Sequence, residues 1–199
     1  DLAAYAVKHY NFTTHEGFNA GIWRNDNATD NQAATDYDKK WIPGQWKVPE
    51  AYDNPASNDP WYFSAIREAN YFLETVVPRF EKGEIEGSET NIKHYIGEMY
   101  FLRAKNYLSK LETFGDFPII KNTLPDESAS LIQASKREPR HKVARFILED
   151  LDLAIGLLTN TISSGKNRIT QNAALLLKSR AALYEASWLT YHKGTALVP

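Results

Sequence analysis

Trp41, Trp46 and Tyr52 follow one another closely along the chain, among Asp36, Asp38, Gln45 and Asn54. Sugars present flat C–H faces ringed by hydroxyls. Aromatic platforms beside carboxylate and amide side chains are therefore the chemistry of a glycan site. The same aromatics would serve equally to pin an irregular loop onto a helical body, and the residues alone leave both readings open. Other site chemistries fit less well. Gly165-Lys166 lacks the glycine that a phosphate loop needs at position 160, which is Asn160. His9, His15, His94, His141 and His192 show no paired metal-ligand spacing. Asp26 and Asp30 hint at calcium, but an EF-hand would want a glycine in place of Asn31 and a glutamate in place of Tyr37. Glu149, Asp150 and Asp152 read as a helix surface rather than as a glycosidase pair. No metal, cofactor or catalytic residue is expected.

Composition narrows the class further. The 199 residues fit one domain or one large piece of a bigger one, and 43% of them are apolar, enough for a core. With 25 acidic and 23 basic residues the net charge is −2, which argues against nucleic acid as a partner. No cysteine is present, so disulfides and thiol chemistry are excluded. No apolar run approaches the roughly 20 residues of a membrane span. The chain opens at Asp1-Leu2-Ala3-Ala4-Tyr5 without an initiator methionine, as a processed or engineered start would.

The elements that must position the aromatics are helical. Leu2, Tyr5, Ala6, His9 and Tyr10 suggest a short helix. Residues 13–60 are rich in Asn, Asp, Gly and Pro and hold no sustained period, which predicts a long irregular region. Four of the five Trp (Trp23, Trp41, Trp46 and Trp61) fall in or next to it, so a packed loop fits better than disorder. Asp59-Pro60 then supplies a cap and a first-turn proline for a helix over about 61–77, limited by Pro78 and Gly83. Ser88 starts a second helix that Gly115 and Pro118 end near Phe114. A third runs over about 139–158 and a fourth, capped by Thr170, to about His192. Ile119-Ile120 and Leu124-Pro125 mark the connection between the second and third. No strand is expected, so the fold class is all-α.

The helices repeat. Arg103-Ala104-Lys105-Asn106-Tyr107 recurs 77 positions later as Arg180-Ala181-Ala182-Leu183-Tyr184, and Ala69 to Leu73 resembles Ala154 to Leu158. Helix pairs repeated in this way predict tetratricopeptide-like stacking of 61–114 on 139–192, with small residues allowing close approach. Ile92, Ile96 and Met99 form an apolar stripe, and Arg103 falls inside it. A buried Arg needs acceptors, so Arg103 and Arg180 are both expected to be buried and bonded to acidic groups or loop carbonyls. Tyr107, Tyr184 and Gly115 complete the set of expected structural residues.

Several segments resemble the SusD/RagB family. They are Ala65-Ile66-Arg67-Glu68-Ala69-Asn70-Tyr71-Phe72-Leu73; Glu98-Met99-Tyr100-Phe101-Leu102-Arg103-Ala104 followed by Phe114-Gly115-Asp116-Phe117-Pro118; Ile147-Leu148-Glu149-Asp150-Leu151; and Arg168-Ile169-Thr170 with Lys178-Ser179-Arg180-Ala181 to Tyr184. The early Asp26 to Asn31 stretch is similar too, and the segments run in the family's order. The resemblance implies a non-catalytic, cell-surface protein of the outer membrane. It would bind a glycan or other nutrient and deliver it to a SusC-like, TonB-dependent transporter. Membrane attachment would come only through an N-terminal lipid anchor, whose cysteine and signal peptide this chain lacks. Family members also continue for a few hundred residues past the equivalent of Pro199, so an N-terminal portion is expected. A peptide-binding or scaffolding tetratricopeptide protein is the alternative. A helical glycoside hydrolase would need two opposed carboxylates near an aromatic cleft.

Overall fold

The computed structural model describes residues 1–10, 12, 32, 42–45, 61–161 and 167–198. The chain separates into two compact units, residues 1–9 with 52–199 and residues 10–51. Six helices are present among the described residues, all in the first unit: α1 (Leu2–Lys8), α2 (Ser64–Glu81), α3 (Glu89–Phe114), α4 (Ser128–Ala134), α5 (Arg140–Leu157) and α6 (Gln171–His192). Among the described residues only isolated bridges occur, one of them joining Phe117 to Glu138, and the fold is all-α.

Local chemistry sets the helix ends. Ser88 Oγ accepts from the Asn91 N–H and Thr170 Oγ1 from the Ala173 N–H, satisfying first-turn donors of α3 and α6. The α2 helix starts at Ser64, later than the Asp59-Pro60 signal implied, and those two residues lie outside the described ones. Aromatic packing holds the segment before it out of the helix. Trp61 sits 4.0 Å from Phe114 and stacks on Phe117, and Phe63 stacks on Phe117 at 5.1 Å. Pro78 does not end α2, which runs on to Glu81. One proline near a C-terminus forfeits a single backbone bond, and the termination falls instead to Gly83 at φ +70°. The Gly83 N–H donates to Phe80 O at 3.0 Å and the Glu84 N–H to Arg79 O at 2.9 Å, the paired bonds of a Schellman end.

The helices stack in order, with α3 between α2 and α5, and α6 on α5. The core lies along α3. Met99, Tyr107 and Leu111 meet Ile66 of α2 and Val143, Ile147 and Leu151 of α5, all at 1% exposure or less. Gly97 sets how closely α5 approaches. A Cβ there would meet Leu158 Cγ at 3.0 Å and Leu158 N at 3.2 Å. Gly115, at φ +72°, ends α3, and its N–H donates to Leu111 O at 3.0 Å.

The Phe114 to Pro118 signature then joins α3 to α5. Asp116 Oδ1 accepts from the Arg140 N–H at 2.8 Å, capping α5. Phe117 and Glu138 exchange backbone hydrogen bonds at 3.1 Å each way.

Candidate functional site

Of the candidate ligand contacts, Trp41, Trp46, Tyr52, Asp36, Asp38 and Asn54 lie outside the described residues, as do Asp26 and Asp30. Gln45 is described and exposed, at the end of a tight turn. Its N–H donates to Ile42 O at 3.0 Å, and Gly44 takes φ +79°. Proline at the first inner position and a left-handed glycine at the second are what a type II turn requires, and Pro43-Gly44 supplies both.

The helical unit is held by three buried guanidinium–carboxylate clamps. Arg103 is 6% exposed, as its place in the apolar stripe implies. Its Nε and Nη2 donate to the two oxygens of Asp150 at 2.7 and 2.8 Å, and Nη1 donates to Asn70 Oδ1 at 2.9 Å and Lys121 O at 3.2 Å. The guanidinium also lies against the Tyr100 and Phe146 rings. One side chain thus joins α2, α3, α5 and the connection after α3. Burial pushes the Asp150 carboxyl up, and Arg103 pulls against that shift.

Asp150 is 2% exposed, which corrects the reading of Glu149, Asp150 and Asp152 as one helix surface. Glu149 and Asp152 are exposed, and Asp152 pairs with Lys178. Only Asp150 turns inward, and Arg103 occupies both its oxygens.

Arg180 corrects the matching expectation. It is exposed on α6. Repetition of sequence does not repeat the neighbour: Arg103 is covered by α5, whereas among the described residues no helix covers the side of α6 that carries Leu176 and Leu183, 73% and 69% exposed. Ala104 and Ala181 are both buried, at 0% and 4%. Tyr107 is fully buried, its hydroxyl accepting from the Ile120 N–H at 2.8 Å and donating to Ile120 O at 3.2 Å. Burial pushes that phenol up to about 12. Tyr184 is half-buried beneath the Arg140 guanidinium.

Two clamps involve residues that the sequence reading did not single out. Arg140 of α5 donates to Glu185 Oε2 at 2.8 Å and lies 4.1 Å from the Trp188 ring centre, joining α5 to α6. Arg168 donates to both oxygens of Glu98, which is fully buried, and to Ala3 O at 3.3 Å, tying α1 and α3 to the start of α6. His94, also fully buried, accepts at Nδ1 from the Thr159 N–H at 3.2 Å. Its Nε2 lies 3.2 Å from Glu98 Oε1. The signal for these clamps was a charged residue on an otherwise apolar helix face, which marks a buried ion but not its partner. Among the described residues no group of three or more His, Asp or Glu could hold a metal. No described helix is long and apolar enough to cross a membrane.

The Arg103–Asp150 and Arg168–Glu98 clamps and the Phe114 to Pro118 junction fall within the segments of the resemblance. A family model of SusD-like proteins, described as starch-binding and associating with the outer membrane, matches residues 2–183. The chain belongs to the SusD-like family. A SusD-like protein of Bacteroides fragilis is 28% identical, with a TM-score of 0.57, over 72% of this chain and 26% of that one. The likeness in fold extends to a laminarin-binding SusD-like protein at 22% identity, with a TM-score of 0.50, over 60% of this chain and 24% of that one. Surface glycan-binding protein A from Bacteroides uniformis is 19% identical, with a TM-score of 0.52, over 70% of this chain and 30% of that one. The SusD-like chain thus spans about a quarter of the length of the solved structures it matches. No curated protein matches it.

Proposed function

We propose that this SusD-like protein is a non-catalytic, cell-surface glycan-binding protein that hands its ligand to a SusC-like, TonB-dependent transporter. The family match over residues 2–183 carries the reading, because that family is described as starch-binding and outer-membrane-associated. Two structures of the same fold point the same way, one named as laminarin-binding and the other as a surface glycan-binding protein. An N-terminal lipid would hold the protein at the outer membrane.

The proposed contacts are Trp41, Trp46 and Tyr52 as platforms, with Asp36, Asp38, Gln45 and Asn54 as hydrogen-bonding partners. The exposed amide of Gln45 suits that role.

Affinity electrophoresis of the full-length protein against a panel of soluble glycans tests the reading. Retardation on at least one glycan is expected. Trp41→Ala and Trp46→Ala should each weaken it by about ten-fold or more, as loss of a buried aromatic anchor does. Unchanged retardation in both variants would remove the residue assignment. Co-purification of a TonB-dependent transporter from outer membranes tests the delivery step, and its absence under conditions that retain lipoproteins would contradict it.

A further inference from the structure

A recess lies in the helical unit. It has a volume of about 290 Å³ and opens between the first half of α2, the connection after α3, and α4. Its floor is Ile66 and Asn70, at 1% and 0% exposure. Phe63, Ile120 and Leu124 form walls, and Leu131 of α4 roofs it.

The polar groups decide what it accepts. Asn70 is spent: Nδ2 donates to Ile120 O at 2.8 Å and Oδ1 accepts from Arg103. Ser135 Oγ donates to Leu131 O at 2.6 Å. A sugar placed here would lose water from its hydroxyls and find only the exposed Asn122 and Arg67 side chains as partners. At the mouth stands Arg67, exposed and without an ion pair among the described residues. The recess is thus an apolar slot with a free cation at its rim.

The roof supplies an independent observation. No side chain of α4 is buried, and Leu131 and Ile132 are 40% and 68% exposed. Apolar surface therefore continues from the slot over the outside of a short helix, further than a small molecule inside the slot could cover. Exposed Lys136 and Arg137 follow α4 and add to the positive charge, while Asp126 and Glu127 precede it.

We infer that this slot docks a segment of a partner protein that inserts one apolar side chain, with an Asp or Glu beside it to pair with Arg67. Anchor side chains in fully desolvated pockets dominate such contacts, and a complementary charge at the rim fixes register. The occupant is acidic and apolar, unlike the polyhydroxylated ligand proposed for the loop, and the inference does not depend on that ligand.

Methyl-labelled protein titrated by NMR tests it, with Ac-Asp-Phe-Asp-NH2 as the probe. The Leu131, Leu124 and Ile120 methyls should shift. Replacing Phe by Ala, or both Asp by Lys, should weaken binding about ten-fold or more. Arg67→Glu, at an exposed position that leaves the fold intact, should reverse the preference toward Ac-Lys-Phe-Lys-NH2. Unmoved methyls at millimolar peptide would overturn the proposal. So would equal binding of the Asp and Lys peptides, or no reversal in Arg67→Glu. If 3-phenylpropionate bound as tightly as the peptide, the slot would belong to a small carboxylate and the docking proposal would fall.

Discussion

Arg103→Ala is the perturbation whose cost follows most directly from the geometry. The substitution removes five N–H donors from a site 6% exposed and leaves Asp150, 2% exposed, without either of its guanidinium bonds. Asn70 Oδ1 and Lys121 O lose a partner as well. Breaking a buried ion pair from one side costs roughly 3–5 kcal/mol, mostly as desolvation of the charge left behind. For a chain of this size each kcal/mol moves the midpoint by about 2–4 °C, so a fall of roughly 6–20 °C is expected by calorimetry. The defect should soften as the pH is lowered, because the stranded Asp150 escapes its penalty by taking up a proton. Replacing the pair together, as Arg103→Met with Asp150→Leu, removes both charges and should restore most of the midpoint. An Arg103→Ala midpoint within about 1 °C of wild type would refute the assignment of this side chain as the clamp between α3 and α5.

Three further outcomes follow from other sites. Gly97→Leu forces atoms into Leu158, including its backbone N at 3.2 Å, and should cost about 1–3 kcal/mol in urea unfolding. Asp116→Ala removes the cap from the Arg140 N–H and should cost about 0.5–2 kcal/mol, with faster amide exchange confined to the first turn of α5. Burial lowers the His9 pKa from its usual 6.5, although Glu68 opposes the shift. The unfolded chain therefore takes up the proton first, so stability conferred by neutral His9 is intact above pH 6.5 and falls as the pH drops through and below that value. An NMR titration of the His9 ring with a midpoint at or above 6.5 would contradict the shift.

How much of this was legible in the chain depended on whether the signal was local. Ser88, Thr170 and Gly115 act within a turn of their own helix, and each does what its residue type implies. Arg103 was legible because an ion in an apolar stripe demands acceptors. Asp150 was not, because three acids within four residues look alike until one of them faces Arg103. Arg180 has the same local text as Arg103 but lacks a covering helix, and burial is set by neighbours rather than by text. The Asp116 cap spans 24 positions, beyond any helical period. The α4 helix escaped notice because none of its side chains is buried, so it has no apolar face to read. The aromatics at 41, 46 and 52 announce their chemistry by type, but an irregular segment has no period from which their convergence could be read.

Isothermal calorimetry of the full-length protein with the glycan that retards it, combined with chromatography of the sugar afterwards, tests the central claim most directly. The account predicts saturable binding that Trp41→Ala and Trp46→Ala weaken about ten-fold or more each, with the glycan recovered intact. Binding to no glycan in the panel, or recovery of shortened sugar, would contradict it.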